Sequence, residues 1–498
     1  MIFSSIEYFL FFTIVLLLMV FVKPSQVKKK ILLIASYYFY AYWDYRFVFL
    51  MFAMTCFNYY AGLKIELNKD AKSKGRWLLG SIVFNLCILG FFKYFNFFVN
   101  STNVLLNPLH VRLPYLGIIL PIGISFITFE VMSYTIDIYR NINKSAKSFW
   151  DFALLVAFFP HLIAGPILKP KQFLPEIEHD IIIKWENVSY GLQIFLLGLV
   201  RKVFIADRLA IFVDTVFKRP QDFSSITLWL TVIAYAIQIY CDFCGYTDMA
   251  IGSAKCLGFD VPKNFDIPYI SQSITEFWRR WHISLSTWLR DYLYIPLGGN
   301  RKGKQRQYFN LLITMLLGGL WHGASWNFVA WGGLHGTALA IHKMYTELVP
   351  KEKKISRSVE LDAKQTVRKL LAGQPAILGF FMPIYLRLYF YNFLAWFFTF
   401  IFVCLAWVFF RSTDFSISLF IIQKMFCLTN SAGINWYATS LFVTIPALII
   451  SDYVGSQLGK GFKLQLDTFK GLFVLFFVLF GLLLLSPQNP SPFIYFQF

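Results

Sequence analysis

The sequence predicts an all-α, polytopic membrane protein that forms one integral membrane domain over residues 1–498. Hydrophobic residues make up 57% of the chain and charged residues only 15%, whereas soluble domains carry roughly 25% charged residues. Apolar runs recur along nearly the whole chain, so the apolar surface faces lipid and is not gathered into one core. At roughly 20 apolar residues per span, these runs predict about 10–13 transmembrane or re-entrant helices.

The chain is strongly basic, with a formal net charge of +19 from 46 Lys and Arg against 27 Asp and Glu. In a soluble protein this balance would indicate nucleic acid, a partner that we do not expect here. The basic residues lie beside apolar spans, and in membrane proteins such residues collect in cytoplasmic loops and set the orientation. An anionic ligand or an acidic partner at the inner face is the alternative, and charge alone leaves it open.

The first five predicted spans alternate across the membrane. No basic residue precedes the apolar run 8–22, and Lys28, Lys29 and Lys30 follow it, which is the reverse of a cleavable signal peptide. The positive-inside rule therefore places Met1 outside and Lys28 inside. The predicted spans are residues 8–22, a hairpin over 31–63 that turns at 43–46, residues 77–98 and residues 115–139.

Proline and glycine interrupt the apolar runs in the middle of the chain. Residues 158–166 contain Pro160, Gly165 and Pro166, and glycine pairs occur at 318–319 and 332–333. Broken helices at membrane depth need neighbouring protein or a water-filled cavity to satisfy the freed backbone groups. We therefore expect a compact helical assembly that encloses a cavity. We find no internal repeat, which argues against the inverted-repeat transporter folds.

A basic cytoplasmic loop is predicted at residues 343–369, the longest polar stretch, where Lys and Arg outnumber Asp and Glu. The later apolar runs are almost free of ionisable groups and are predicted to be lipid-facing support helices. These runs are residues 391–410, 437–450 and 471–485.

No metal site is predicted. Cys241 and Cys244 form a C-x-x-C pair, but zinc needs four ligands and no second Cys or His pair lies nearby, so packing is the better interpretation. Residues 298–305 nearly match a phosphate-binding P-loop, yet Gln305 stands where Ser or Thr should ligate magnesium and no strand precedes it. The basic run 301–306 can still attract an anionic donor at the cytoplasmic face.

His322 is the strongest candidate for chemistry. It follows Arg306 by sixteen residues, about 24 Å along a helix, which keeps it inside a hydrocarbon core of about 30 Å. Ionisable residues within spans are functional candidates by default, and a neutral imidazole can take a proton from a hydroxyl. The alternative is a histidine that bridges two helices, and the residues alone do not decide between the two roles.

A second histidine, His282, lies in an aromatic and basic setting. Trp278 and Trp281 favour anchoring at the membrane interface, whereas Arg279 and Arg280 can hold a phosphate or carboxylate. Arg290 and Asp291 are predicted to form a structural ion pair.

Four acidic residues offer a further possibility. Glu130 and Asp137 lie seven residues apart on one predicted helix face, and with Asp242 and Asp248 they can line a proton path. Pairing with Arg or Tyr in the interior is the interpretation we favour.

Five stretches of the sequence carry a resemblance: PHLIAGP (160–166), YCDFCGYTDMAIG (240–252), FWRRWHISLS (277–286), RDYLYIPLGGN (290–300) and LWHG (320–323). Together they resemble the membrane-bound O-acyltransferase (MBOAT) family, and within it the bacterial alginate O-acetylation branch, the peptidoglycan O-acetylation proteins and, further off, the D-alanyl transfer protein of teichoic acid modification. The resemblance covers most of residues 1–342 and is weaker afterwards.

The resemblance implies His322 as the essential catalytic residue and His282 as the second active-site histidine. It also implies helices ringed around a thin centre, with a central tunnel that joins the two faces. On this basis we predict five substrate-binding residues: Trp278, Arg279, Arg280, Trp321 and Asp242.

The implied reaction moves an acyl group, in the simplest case acetyl, from a cytoplasmic thioester such as acetyl-CoA or an acyl carrier. The acceptor is a hydroxyl of an extracytoplasmic polysaccharide or of an acetyltransferase partner, and no tightly bound cofactor is expected. The implied location is the bacterial cytoplasmic (inner) membrane. A transporter or channel that uses the same polar centre without chemistry is the alternative.

The predicted orientation is testable by labelling single cysteines placed at Lys72 and Lys353. Both sites should be protected from an impermeant reagent added outside intact cells, because their Lys and Arg excess places them inside. Labelling of either site from outside would overturn the topology.

Overall fold

The computed structural model describes residues 1–163, 165–348, 378–427, 433–461, 463–466, 468–485 and 492–496. Regular structure in these ranges is helical, apart from a single β-bridge between Phe223 and Ile434. The prediction of an all-α fold is confirmed.

The amino-terminal half contains ten of the α-helices, in two groups. The first group is α1 (Ile6–Phe21), α2 (Ser25–Asp44), α3 (Arg46–Leu67), α4 (Ala71–Leu89), α5 (Phe95–Leu106) and α6 (Ile124–Tyr139). The second is α7 (Phe149–Ala157), α8 (Phe159–Leu162), α9 (Pro170–Glu178) and α10 (Trp185–Leu199).

The remaining helices continue the same pattern of long apolar segments and short connecting turns. They are α11 (Asp207–Lys218), α12 (Ser225–Cys256), α13 (Ile274–Arg280), α14 (Ile283–Leu289), α15 (Lys304–His322), α16 (Trp326–Leu348), α17 (Leu378–Arg411), α18 (Phe415–Phe426), α19 (Ser440–Gly459) and α20 (Phe469–Leu485). Three π-helical segments, Gly90–Tyr94, Val200–Ala206 and Arg290–Tyr294, extend α4, α10 and α14.

Among the described residues, five helical stretches are long and apolar enough to cross a bilayer: Arg46–Leu67, Ala71–Leu109, Ser225–Cys256, Tyr389–Arg411 and Ser440–Gly459. Shorter apolar helices, such as Ile6–Phe21, accompany them. A multi-pass membrane protein is thereby confirmed, while the number of crossings and their orientation stay predictions.

Buried polar side chains join the early helices. Asn58 of α3 and Asn85 of α4 exchange side-chain hydrogen bonds of 2.8 and 3.1 Å. Ser81 donates to Asn58 over 2.8 Å and lies 3.0 Å from the hydroxyl of Thr135 on α6. Hydrogen bonds of this kind between membrane helices stabilise packing by about 0.6–2 kcal/mol each. This network fixes α3, α4 and α6 against one another.

The prediction of a span over residues 115–139 is wrong in its first part. The helix begins only at Ile124, after Gly123, whose φ of 75° lies in the left-handed region. A Cβ at Gly123 would also lie 2.6 Å from the carbonyl oxygen of Leu162. Hydropathy could not distinguish the apolar but non-helical residues 111–121 from a helix.

Two asparagines of α5 hold this non-helical segment in place. The side chain of Asn96 both accepts from the backbone N–H of Leu116 and donates to its carbonyl, over 3.1 and 2.8 Å. Asn103 does the same with Leu113, over 2.7 and 3.0 Å. The amide groups therefore satisfy backbone groups that a helix would have satisfied internally.

The prediction of a broken helix at residues 158–166 is confirmed where the structure describes it. Helix α7 ends at Ala157 and a single buried turn, α8, follows. The hydroxyl of Ser36 accepts from the backbone N–H of Phe159 over 3.1 Å, so protein groups replace the lost helical bond. Ala164 falls outside the described residues.

The carboxyl-terminal runs are more than lipid-facing support. Helix α17 buries Trp407 and Phe410, and α19 extends beyond the predicted run to Asp452, which binds a buried arginine. Of the predicted basic loop 343–369, residues 343–348 complete α16, and the remainder falls outside the described residues.

Helices α10 and α12 pack with their backbones in direct contact. A Cβ placed on Gly252 would lie 2.5 Å from the carbonyl oxygen of Gly191, and one on Gly198 would lie 2.5 Å from that of Gly245. Small residues at such contacts let membrane helices approach closely. The contact matters for function because α12 carries part of the polar centre described below.

We expect Gly252→Val to destabilise the protein by about 1–3 kcal/mol or more, since the added side chain forces α10 and α12 apart. Thermal unfolding of the purified protein in detergent measures the effect. Gly80→Val on α4 is the matched control, because no atom lies within 4 Å of a Cβ at Gly80. Equal thermal stability of the two variants would contradict the packing argument.

Candidate active site

Helix α15 ends at His322, and side chains from a neighbouring helix satisfy its terminal carbonyl groups. The ammonium of Lys93 donates to the carbonyls of Trp321 and His322 over 2.6 and 3.1 Å, and the Tyr94 hydroxyl donates to that of Leu320 over 2.9 Å. Both residues belong to the π-helical segment Gly90–Tyr94. The position of His322 is therefore fixed by α15 and by this segment together.

His282 lies behind His322 in the turn between α13 and α14. Its side chain is fully buried, and its φ of 43° is an uncommon left-handed conformation for a residue other than glycine. The centroids of the two imidazole rings lie 6.4 Å apart. The structure therefore brings these two predicted site residues close together.

Aromatic rings enclose His322. Trp321, Trp331 and Phe410 lie with ring centroids 5.1, 5.1 and 5.2 Å from the imidazole, and Tyr495 lies 5.6 Å away. The histidine itself is only 4% exposed. A charged intermediate formed here is shielded from water, which strengthens its interactions with nearby polar groups.

An outer cavity of about 370 Å³ opens onto His322. Trp43, which lies in the predicted external turn, forms part of its wall, so the cavity faces the side that the sequence places outside. Its lining also includes Lys93, Phe126, Trp321, His322 and Tyr495. The cavity gives a molecule at the outer face access to the imidazole.

An inner cavity of about 320 Å³ lies on the opposite side of the polar centre and is lined in part by Arg201, Asp248, Lys255 and Lys263. The turn after α12 packs on the segment around Ile182, and Lys28 donates to the adjacent Ile181 carbonyl over 2.9 Å. This mouth therefore faces the side that the sequence places in the cytoplasm.

A wall of two phenylalanines separates the cavities. Phe265 lines the inner cavity and lies 5.0 Å from Phe243 between ring centroids. Phe243 in turn lies 4.7 Å from His282 and 4.5 Å from Tyr495. The cavities thus approach the histidines from opposite ends, and a continuous tunnel stays a prediction.

Two adjacent bases of the second π-helical segment bind four carboxylates. Arg201 pairs with Asp248 and, over 2.7 Å, with Asp452. Lys202 pairs with Asp207 and Asp242 over 2.8 and 2.6 Å. Asp242 also accepts from the backbone N–H of Ile494 over 2.7 Å, which holds the carboxyl-terminal segment beside the histidines.

The predicted substrate-binding residues do not all come together. Trp321 lines the outer cavity, whereas Trp278 donates from its indole N–H to His335 over 3.2 Å, away from both cavities. Arg279 is exposed, and Arg280 pairs with Glu276 and Asp266 over 3.0 and 3.3 Å.

The carboxylates of Asp266, which pairs with Arg280, and of Asp242, a predicted substrate-binding residue, both have partners within the protein. A hydrogen bond from Lys263 holds the pKa of Asp266 below its usual range, which keeps that partner of Arg280 ionised. Asp242 contacts Lys202 and the chain's own carboxyl-terminal segment. Neither Arg280 nor Asp242 therefore lines the outer cavity or the cavity around Arg201 and Lys255.

The other predicted polar residues have separate partners. Asp137 accepts from the Tyr292 hydroxyl over 2.8 Å, and buried Glu130 lies 3.7 Å from His161. The contact of Asp137 with Tyr292 agrees with the favoured pairing with Arg or Tyr in the interior, whereas Glu130 faces a histidine and its Oε1 has no hydrogen-bond partner among the described residues. The Arg290–Asp291 ion pair is confirmed at 2.7 Å, and Lys169 joins it at 2.6 Å.

Sequence reasoning missed three residues of the site: Lys93, Asn264 and Tyr495. Lys93 carried a signal, because it is an ionisable residue inside an apolar span. Asn264, whose side-chain oxygen lies 3.2 Å from the Nδ1 atom of His282, carried none. Among the described residues, no three His, Cys, Asp or Glu side chains converge as a metal site would require.

Comparison with known proteins agrees with this geometry. The sequence model of the MBOAT, membrane-bound O-acyltransferase family, matches residues 32–358. The probable alginate O-acetylase AlgI of Azotobacter vinelandii is 42% identical over 86% of this chain and 78% of its own length. The protein of that name from Pseudomonas putida is 38% identical over the full length of both chains.

A relative that is named for a different acceptor is also similar. The peptidoglycan O-acetyltransferase of Helicobacter pylori is 36% identical over 82% of this chain and 76% of its own length. The family match covers both histidines and the helices that position them, so the prediction of an enzyme is confirmed over that of a transporter. The chain belongs to the membrane-bound O-acyltransferase family and is an O-acyltransferase of the membrane.

Proposed function

We propose that the protein transfers an acyl group, in the simplest case acetyl, to a hydroxyl of an extracytoplasmic polysaccharide or of an intermediary partner protein. The donor is a thioester from the cytoplasm, and the protein resides in the bacterial cytoplasmic membrane. The observation that carries the proposal is the position of His322 at the floor of the outer cavity, with His282 directly behind it. Relatives named for alginate and peptidoglycan support a glycan acceptor.

The chemistry needs one base close to the acceptor. The acceptor hydroxyl attacks the thioester carbonyl, a C–O bond forms, and the C–S bond breaks. His322 takes the hydroxyl proton and passes it to the leaving thiolate, so that the products are an ester and a free thiol. Aromatic rings enclose the other sides of the imidazole, so an acceptor that fills the outer cavity places its hydroxyl next to His322 and displaces water from the site.

The inner cavity suits the donor. Its lining includes Lys255, Lys263 and Arg201, and it also includes Phe265, which with Phe243 forms the wall next to His282. A thioester that enters with its acyl end first needs the wall to part by a change of side-chain rotamer. The basic run 301–306 lies outside this cavity, and its predicted role in attracting the donor stays a separate hypothesis.

Replacing His322 tests the base. We expect His322→Gln to lower the turnover number about 10²- to 10⁴-fold, because an amide keeps hydrogen bonding but cannot take the proton. Turnover with a labelled thioester and the acceptor in proteoliposomes measures it, with thermal stability recorded alongside. His342→Gln is the matched control, since His342 bonds to Thr275 and lies outside the outer and inner cavities. Near-normal turnover of His322→Gln would make His322 a structural residue.

Filling the mouth of the inner cavity tests the donor route. Gly459 is exposed at this mouth, and no atom lies within 4 Å of a Cβ placed on it. We therefore expect Gly459→Trp to fold normally and to lower kcat/KM for the thioester by at least about tenfold, or about 1.4 kcal/mol. Gly80→Trp on α4 serves as the control for an added surface indole. Unchanged donor kinetics in Gly459→Trp would place the donor elsewhere.

A further inference from the structure

Asn264 makes hydrogen bonds to His282 and to the two residues that follow it. It is fully buried in the loop between α12 and α13. Its backbone carbonyl accepts from the N–H of Ile283 over 2.8 Å, and its side-chain oxygen accepts from the N–H of Ser284 over 3.1 Å. The hydroxyl of Ser284 and the Nδ1 atom of His282 lie 2.9 and 3.2 Å from the same oxygen.

These bonds hold a conformation that His282 would not adopt alone. A left-handed backbone costs an ordinary L-residue about 1–2 kcal/mol, and the φ of His282 is 43°. The two backbone bonds from Ile283 and Ser284 to Asn264 begin α14 directly after the strained residue. Asn264 therefore determines both where the imidazole lies and where the next helix starts.

The chemistry of the contacts decides which end of the Asn264 amide faces the turn. A backbone N–H can only donate, so the atom that meets the N–H of Ser284 is the oxygen and not the amino group. The same oxygen faces Nδ1 of His282, and an amide oxygen can only accept. Nδ1 must therefore carry the proton, which leaves the lone pair of the ring on Nε2.

The Nε2 atom of His282 is buried and has no hydrogen-bond partner among the described residues. The same holds for Nδ1 of His322, whose ring centroid lies 6.4 Å away. Buried polar atoms are seldom left unpaired unless a ligand or a water completes them. Reacting groups of the substrates are the partners that the proposed function supplies.

We propose that Asn264 is a positioning residue that locks His282 in the Nδ1–H tautomer, so that His282 presents the lone pair of Nε2 toward His322 and the reacting groups there. The inference rests on the acyl transfer proposed above and assigns a separate role to each histidine. His322, which lines the outer cavity, takes the hydroxyl proton, and Nε2 of His282 accepts a hydrogen bond from the imidazolium that forms. In the opposite tautomer His282 would present an N–H to that imidazolium and could not accept its hydrogen bond.

Three variants separate this role from a structural one. Asn264→Ala removes the acceptor, and we expect the turnover number to fall about 10- to 100-fold, as for other groups that orient a catalytic ligand or base. Asn264→Asp keeps the acceptor and adds a negative charge, which stabilises the imidazolium. We expect its turnover to recover at alkaline pH and the acidic limb of its pH profile to move to higher pH.

Asn58→Ala is the matched control, because Asn58 is also fully buried and makes several side-chain hydrogen bonds, on helices that do not carry the histidines. It should lose thermal stability but keep its turnover number per folded molecule. A fall in turnover of Asn264→Ala no larger than that of Asn58→Ala would overturn the proposal, as would a pH profile of Asn264→Asp that coincides with that of the unmodified protein.

The tautomer itself is measured by ¹⁵N NMR on histidine-labelled protein in detergent, with His282→Gln used to assign the signal. A protonated Nδ1 and an unprotonated Nε2 are expected, and a protonated Nε2 in the unmodified protein would refute the inference. This measurement needs no turnover. Failure of acyl transfer by the unmodified protein would therefore reject the proposed function, while the spectrum would still decide the tautomer.

Discussion

The site depends on the carboxyl terminus of helix α15, which the sequence places within the hydrocarbon core. The last carbonyl groups of a helix have no intrahelical partners, and in a bilayer each group left unsatisfied costs several kcal/mol. Helix α15 ends at His322, and Lys93 and Tyr94 donate to its last three carbonyls. A cation at a helix carboxyl terminus is also favoured by the helix dipole. The hydrogen bonds from Lys93 and Tyr94 that stabilise this terminus thus also position His322.

Two π-helical segments carry the side chains that bind the buried polar and charged groups near the site. The π-helical turn at Gly90–Tyr94 brings Lys93 and Tyr94 to the same partner helix, and the one at Val200–Ala206 carries Arg201 and Lys202. Single π turns are frequent at functional sites. The two adjacent bases bind carboxylates from α11, α12 and α19, so no basic group of this pair is left without a counter-charge. A buried charge without such a partner would be strongly destabilising.

Hydropathy and charge predicted the all-α membrane fold, because long apolar runs have few alternatives in a bilayer. They failed at residues 115–123, part of an apolar segment that is not helical and whose backbone groups are hydrogen-bonded by Asn96 and Asn103. The two histidines were found from local motifs and meet in space. Asp242 was predicted to bind substrate, yet its partners Lys202 and Ile494 lie 40 and 252 residues away, which no local pattern reveals. Asn264 was missed for the same reason.

The segment 492–496 has a consequence for the order of assembly. Phe493 packs on Tyr246 with ring centroids 4.4 Å apart, Asp242 binds the Ile494 backbone, and Tyr495 lines the outer cavity. Synthesis runs from the amino terminus, so these residues emerge after α20 and every other described helix has left the ribosome. The wall of the outer cavity is therefore incomplete until this segment has been synthesised. A chain that stops before residue 492 lacks this surface beside His322.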